Sequence, residues 1–226
     1  MKYAAVALVV TTLASGQTFD AARLRTGRFV YRTVANGKDA GGSEITISRD
    51  GNFRFTNHVT GQFVQDWEAT TTAAFAPIAA KLTFGEDRKP SFELVYRDRR
   101  VAGAAWSRQT AMKRDVQASI VPDTVDQRID WAAVMSAELT GGREFRFHVY
   151  DPGAGNSLVT AVVSGPETVE VPAGKFTAMR VVYRIDKAEG SEVYRLLTNR
   201  EGPRMLLKEE FPNGAVTELV EAAFQH

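Results

Sequence analysis

Hydrophobic and polar residues alternate along most of this chain, the pattern of strands that bury one face and wet the other. Ile45 and Ile47 alternate with Glu44, Thr46 and Ser48, and Phe53 and Phe55 with Asn52, Arg54 and Thr56. Between those runs stands Asp50-Gly51, a pair suited to a tight hairpin because glycine accepts a positive φ. Phe63, Gln65, Trp67 and Ala69 share a further face, and so do Phe92, Leu94 and Tyr96. After the turn-like Arg97-Asp98-Arg99-Arg100 come a glycine, an alanine pair and Trp106. In the second half Phe145, Phe147 and Val149 alternate with Glu144, Arg146 and His148 until Asp151-Pro152-Gly153 breaks the run. Leu158 to Val163 is a short apolar strand, and Met179, Val181, Tyr183 and Ile185 alternate around Arg180 and Arg184. Further strands are expected near 193–197 and 205–210, and Asn213-Gly214 turns the chain into a last one at 216–220.

One segment follows a different period. Val125, Ile129, Ala132, Ala133 and Ser136 recur at helical spacing, widened by Trp131 and Met135. Thr124 and Gln127 stand at capping-box spacing, and Thr140-Gly141-Gly142 is a stop signal. These features predict one helix at about 124–139, near the middle of the chain and covering an open end of the sheet system. The fold class expected is mainly β: a large antiparallel barrel or half-barrel, with a two-sheet sandwich as the alternative.

Met1-Lys2 followed by a short apolar run and Ala14-Ser15-Gly16 has the form of a cleaved export signal. The run is too short to span a bilayer, and no later stretch approaches spanning length. The expectation is therefore a signal peptide at 1–16 and a single exported domain over 17–226, periplasmic or secreted, with no transmembrane segment in the mature chain. The whole chain carries 28 basic and 27 acidic residues. Removing Lys2 with the leader makes them 27 and 27, a neutral balance that argues against nucleic acid as a partner. Zero cysteines exclude thiol catalysis, cysteine-ligated zinc and iron–sulfur clusters.

Candidate chemistry is sparse. Ser43 after Gly41-Gly42 lacks the second flanking glycine of a nucleophile elbow and reads as a strand start. His58 and His148 fall on polar faces, and His226 is terminal. Carboxylates pair as Glu167 with Glu170 and as Glu209-Glu210; Glu167 stands on a hairpin flank just after Gly165-Pro166, and Glu209 and Glu210 must point to opposite faces of a strand. All four read as solvated edge charges. Arg97, Arg99 and Arg100 read as a charged hairpin tip. No phosphate loop, zinc spacing or calcium loop occurs, so no cofactor, metal or catalytic residue is assigned and an enzyme is the less favoured branch. The aromatics remain. Phe63, Trp67, Phe84, Phe92, Tyr96 and Trp106 fall on strand faces in the first half. They either fill a core or line an apolar ligand cavity, and about eleven strands closing on one another are too many for side chains alone to fill.

Gly165 to Val181 contains Glu167-Thr168-Val169-Glu170-Val171-Pro172-Ala173-Gly174-Lys175-Phe176-Thr177-Ala178-Met179-Arg180-Val181. This segment resembles the E-T-V-x-x-P-A-G-x-F-x-A-x-R-V stretch of a family of uncharacterised exported bacterial β-rich proteins, a domain of unknown function. The resemblance implies an exported all-β domain with no established activity. The layout is also similar, in architecture alone, to periplasmic lipoprotein carriers. Three functions stay open: binding of an apolar or amphipathic small molecule or lipid; docking of an envelope protein by strand addition; and a hydrolase with an unrecognised site.

Overall fold

The computed structural model describes residues 18–225, so the expected leader at 1–16 and His226 lie outside the described residues. One sheet of fifteen strands forms the body. The first half contributes β1 (Gly27–Ala35), β2 (Lys38–Asp50), β3 (Asn52–Gly61), β4 (Gln65–Thr71), β5 (Pro77–Phe84), β6 (Lys89–Arg97), β7 (Arg100–Trp106) and β8 (Lys113–Ser119). The second contributes β9 (Thr124–Asp126), β10 (Glu144–Asp151), β11 (Gly155–Val171), β12 (Gly174–Lys187), β13 (Gly190–Asn199), β14 (Leu206–Glu210) and β15 (Val216–Phe224). Neighbours in sequence are neighbours in space within each half, and β15 returns to pair antiparallel with β1. The sheet therefore runs from β8 back to β1, on to β15 and down to β9, with one parallel pair, β9 against β10. It is not closed, and a seam separates β8 from β9.

The sequence pattern misses β1, β5, β8 and β9. β8 has one buried residue, Val116, so alternation leaves no trace there. β5 carries little bulk on its inner face, where Ala80 is its one buried side chain. β9 is three residues long and wholly buried. Asp50-Gly51, Pro172-Ala173 and Asn213-Gly214 do turn the chain, joining β2 to β3, β11 to β12 and β14 to β15. Gly165-Pro166 does not. It lies inside β11, where the register slips between Val163 and Pro166, and the irregularity accommodates a residue with no N–H to give to the ladder.

Curvature folds the sheet around its apolar face. Phe19, ahead of β1, packs edge-on against Phe75 of the β4–β5 turn and against Phe147 of β10. Tyr96 of β6 meets Tyr150 of β10 at 6.2 Å between ring centres. Strands far apart in the sheet order thus face each other across a common core. The outer face is covered by ladders of opposite charge across neighbouring strands: Arg28 between Glu44 and Glu221, Glu68 between Arg54 and Lys81, Glu218 between Arg32 and Lys208.

The helical segment is shorter and deeper than its pattern predicts. Thr124–Asp126 pairs with β10, Gln127–Ile129 forms a 3-10 turn, and the α-helix, α1, spans only Asp130–Ser136. The predicted capping box is absent: the Thr124 hydroxyl donates to the Val121 carbonyl, while Asp126 accepts from the Arg128 N–H. Every residue of α1 is buried, so the helix lies in the interior rather than over an open end. Two arginines hold its C-terminal carbonyls. Arg23 donates to Ser136 O at 3.0 Å, and Arg204 donates to Met135 O and Ala137 O. Cations at this end complement the helix dipole. Burial nevertheless lowers the Arg204 pKa to about 10.

Candidate functional site

A cavity of about 450 Å³ opens beside the first turn of α1. Its wall comes from β1 to β4 on one side and β12 to β15 on the other, so it exists only because β15 pairs with β1. Near its mouth Gly41 of β2 and Gly61 of β3 lie directly opposite each other, both with positive φ. A Cβ on Gly41 would stand 2.1 Å from the Thr60 carbonyl oxygen, so no other residue fits this approach. Phe63 follows in the loop before β4, with 71% of its surface exposed. Trp67, Trp131, Tyr183, Tyr194 and Phe211 supply further aromatic surface, and Tyr183 stacks on Tyr194 at 4.9 Å.

Two carboxyls line the same space. Asp130 begins α1 and Glu209 points inward from β14, each only 6% exposed. Asp130 accepts from the Trp131 N–H at 2.6 Å, and Glu209 accepts from the Tyr183 hydroxyl at 2.8 Å. Neither belongs to an ion pair among the described residues. Burial raises both pKa values, Glu209 to about 7 despite the Tyr183 hydrogen bond, and the Glu209 charge raises Asp130 further. Asn57 Oδ1 and Gln127 Oε1, on two more lining residues, are buried without a hydrogen-bond partner.

Next to this site lies a second polar cluster of opposite character. Arg128 makes a two-pronged pair with Asp126 at 2.6 and 2.7 Å and a third bond to Asp151 at 2.6 Å. Its guanidinium stacks 4.5 Å over Phe92, and the Tyr96 hydroxyl donates to Asp126 at 2.6 Å. The cluster ties β6 to β9 and β10 near the seam, with its charges paired and its bonds made.

The six aromatics singled out from the sequence are thereby dispersed. Phe63 and Trp67 line the cavity. Phe92 and Tyr96 are buried against the Arg128 cluster. Phe84 lies under Arg108, with 3.4 Å from guanidinium to ring centre, and Trp106 stands beside Lys113, away from the cavity. The reading of Glu209 as a solvated edge charge is corrected: its strand alternation turns it inward, while Glu210 takes the outer side. Glu167 pairs with Arg180 in mid-strand rather than flanking a hairpin. Asp130 lies inside the helix predicted at 124–139 and opens the observed α1, and nothing in its sequence position signalled burial.

Fold and cavity together define an open, β-barrel-like protein with an internal helix and a partly polar interior. The chain belongs to the family described as a protein of unknown function, DUF3108, whose model matches residues 9–220. In fold it is similar to the crystal structure of a β-barrel-like protein of the domain of unknown function DUF1849 from Brucella abortus. That likeness has a TM-score of 0.56 at 14% identity and covers 90% of this chain and 99% of the other. A provisionally assigned lipoprotein from Parabacteroides distasonis aligns over 92% of this chain and 100% of its own, at a TM-score of 0.35 and 10% identity. A provisionally assigned exported protein with a YmcC-like fold from Bacteroides fragilis aligns over 92% and 99%, at a TM-score of 0.35 and 11% identity. No curated protein matches the chain. Among the described residues, no helix is long and apolar enough to cross a membrane.

Proposed function

We propose that this is an exported protein of the cell envelope whose barrel-like body binds an amphipathic small molecule, or part of a lipid, in the cavity between the two halves of the sheet. The observation that carries the reading is the cavity itself. Its volume of about 450 Å³ falls within the range of small-molecule sites, which are largely apolar with a few convergent polar groups. Here aromatic rings supply the apolar wall and Asp130, Glu209, Asn57 and Gln127 the polar end. Phe63 and Trp67 are the two residues expected from the sequence that belong to this site. Strand addition has less support, because the outer edge of β8 is partly covered: Asn156 donates to the Ser119 carbonyl, and the Arg114 side chain reaches across to Pro152 O.

Two of the three tryptophans, Trp67 and Trp131, line the cavity. Titration with the neutral lipophile N-phenyl-1-naphthylamine in a Trp106→Phe background should give saturable quenching of tryptophan fluorescence. Trp67→Ala should weaken uptake about tenfold without loss of the folded spectrum. Absence of saturable binding, or full binding by the Trp67→Ala protein, would overturn the reading. Export is checked separately by mass spectrometry of envelope fractions, where the mature chain should begin at Gln17.

A further inference from the structure

We infer that the occupant of this cavity inserts a protonated amine, held between Asp130 and Glu209; this rests on the cavity-binding reading above. The first argument is charge. Among the described residues, Arg128 is the one basic residue lining the cavity, and Asp126 and Asp151 already engage it. Asp130 and Glu209 add two further carboxyls and no cation. A buried carboxylate without a counter-charge is costly, so burial favours the protonated form of both groups. A cation arriving between them supplies the missing charge.

The second argument is hydrogen bonding. The buried side-chain atoms of the site that lack a partner are both acceptors, the amide oxygens of Asn57 and Gln127, and the second oxygens of Asp130 and Glu209 become acceptors too once their protons leave. An alkylammonium brings three N–H donors and a positive charge. An alcohol brings one donor, and a carboxylate or phosphate brings acceptors and the wrong sign. Third, the aromatic surface of Trp67, Trp131, Tyr183 and Tyr194 suits a cation above and an alkyl chain beyond it.

Binding is then linked to pH. The titratable groups facing the pair are Tyr183 and Tyr194 from β12 and β13, Tyr31 from β1, and the Arg128 cluster with Asp126 and Asp151. Behind Tyr194, Glu192 is paired with Lys187. Burial holds all three tyrosine hydroxyls above their ordinary range, so they stay neutral near pH 7. Ammonium binding must release protons from Asp130 and Glu209. Amine affinity should therefore rise between about pH 5.5 and about pH 8, while affinity for a neutral chain stays level.

The test compares decylamine, decanol and decanoate, each below its micellar concentration, by calorimetry and tryptophan quenching on the mature chain. At about pH 8 decylamine should bind about tenfold more tightly than decanol, with decanoate weakest, and at about pH 6.5 its binding should release protons to the buffer. Glu209→Gln should remove most of that preference while decanol still binds; Asp130→Asn should do the same if it folds. A preference that survives Glu209→Gln, or equal binding of decanol and decylamine, overturns the amine assignment and leaves the cavity reading standing. Saturable binding of none of the three overturns both. Dihexanoylphosphatidylethanolamine tested against its choline analogue separates sources: preference for the ethanolamine assigns a lipid headgroup, and binding of decylamine alone assigns a free amine.

Discussion

The interior holds two polar clusters side by side, and they obey opposite rules. In one, Arg128 joins Asp126 and Asp151, with Tyr96 and Phe92 completing its shell. In the other, Asp130 and Glu209 share a cavity with hydroxyls and amides, and among the described residues neither forms an ion pair. Position does not separate them, for Asp126, Arg128 and Asp130 come from one short stretch of chain. What separates them is satisfaction. A buried network whose every member is paired rigidifies a fold, whereas uncompensated carboxyls next to open space cost stability and await a partner. The first cluster is thus a fastening across the seam, and the second is the candidate site.

Breaking the fastening gives the largest expected effect. Arg128→Met leaves Asp126 buried without its counter-charge and should cost about 3–5 kcal/mol in a urea melt. An unchanged midpoint would mean that the two clusters do not differ in kind. The site responds in the opposite sense. Glu209 has a pKa near 4.5 when unfolded and about 7 in the folded chain, so the folded state holds the proton more tightly. The resulting stability is fully present below the unfolded value and is lost as pH rises through about 7. Melts in the absence of ligand should show a fall of a few kcal/mol between about pH 4.5 and about pH 7.5. Glu209→Gln should flatten that slope and leave the protein no less stable at neutral pH. A slope unaffected by this substitution would place the titration elsewhere.

Smaller changes sharpen the contrast. Tyr96→Phe withdraws a hydrogen bond from the buried Asp126 and should cost about 1–3 kcal/mol, read as a shift in the thermal midpoint without any change in ligand binding. On the outer face Arg54→Ala removes a partner of Glu68, which Lys81 still serves. Its cost should stay below about 1 kcal/mol and shrink further in high salt. A larger loss would show that the charge ladders, and not the interior, hold the sheet together.

Much of the fold was legible because a half-buried strand repeats every two residues. Phe53 with Phe55 and Phe145 with Phe147 announce their faces, and Gly51, Gly174 and Gly214 mark turns. β8 was invisible because it buries a single side chain, and β9 because three residues cannot show a period. The helix was found but overextended, since Val125 fits a helical face and a buried strand equally well. Of the site, Trp67 and Phe63 were visible as aromatics. Glu209 was visible as one of two adjacent glutamates with opposite faces, but nothing local said which of them turned inward to a cavity.

The sequence by itself determined the class of this protein: strands of alternating character, one central helix, no cysteine, a nearly neutral balance and the tight turn at Pro172-Ala173-Gly174. These are local properties, written in periods of two and 3.6 residues and in the φ angles that single residues allow. Only the tertiary structure decided which charges became a fastening and which became a site. The return of β15 to β1 carries β14 with it and sets Glu209 into the same cavity as Asp130. Whether a carboxyl is solvated, paired or waiting depends on what the curved sheet brings beside it.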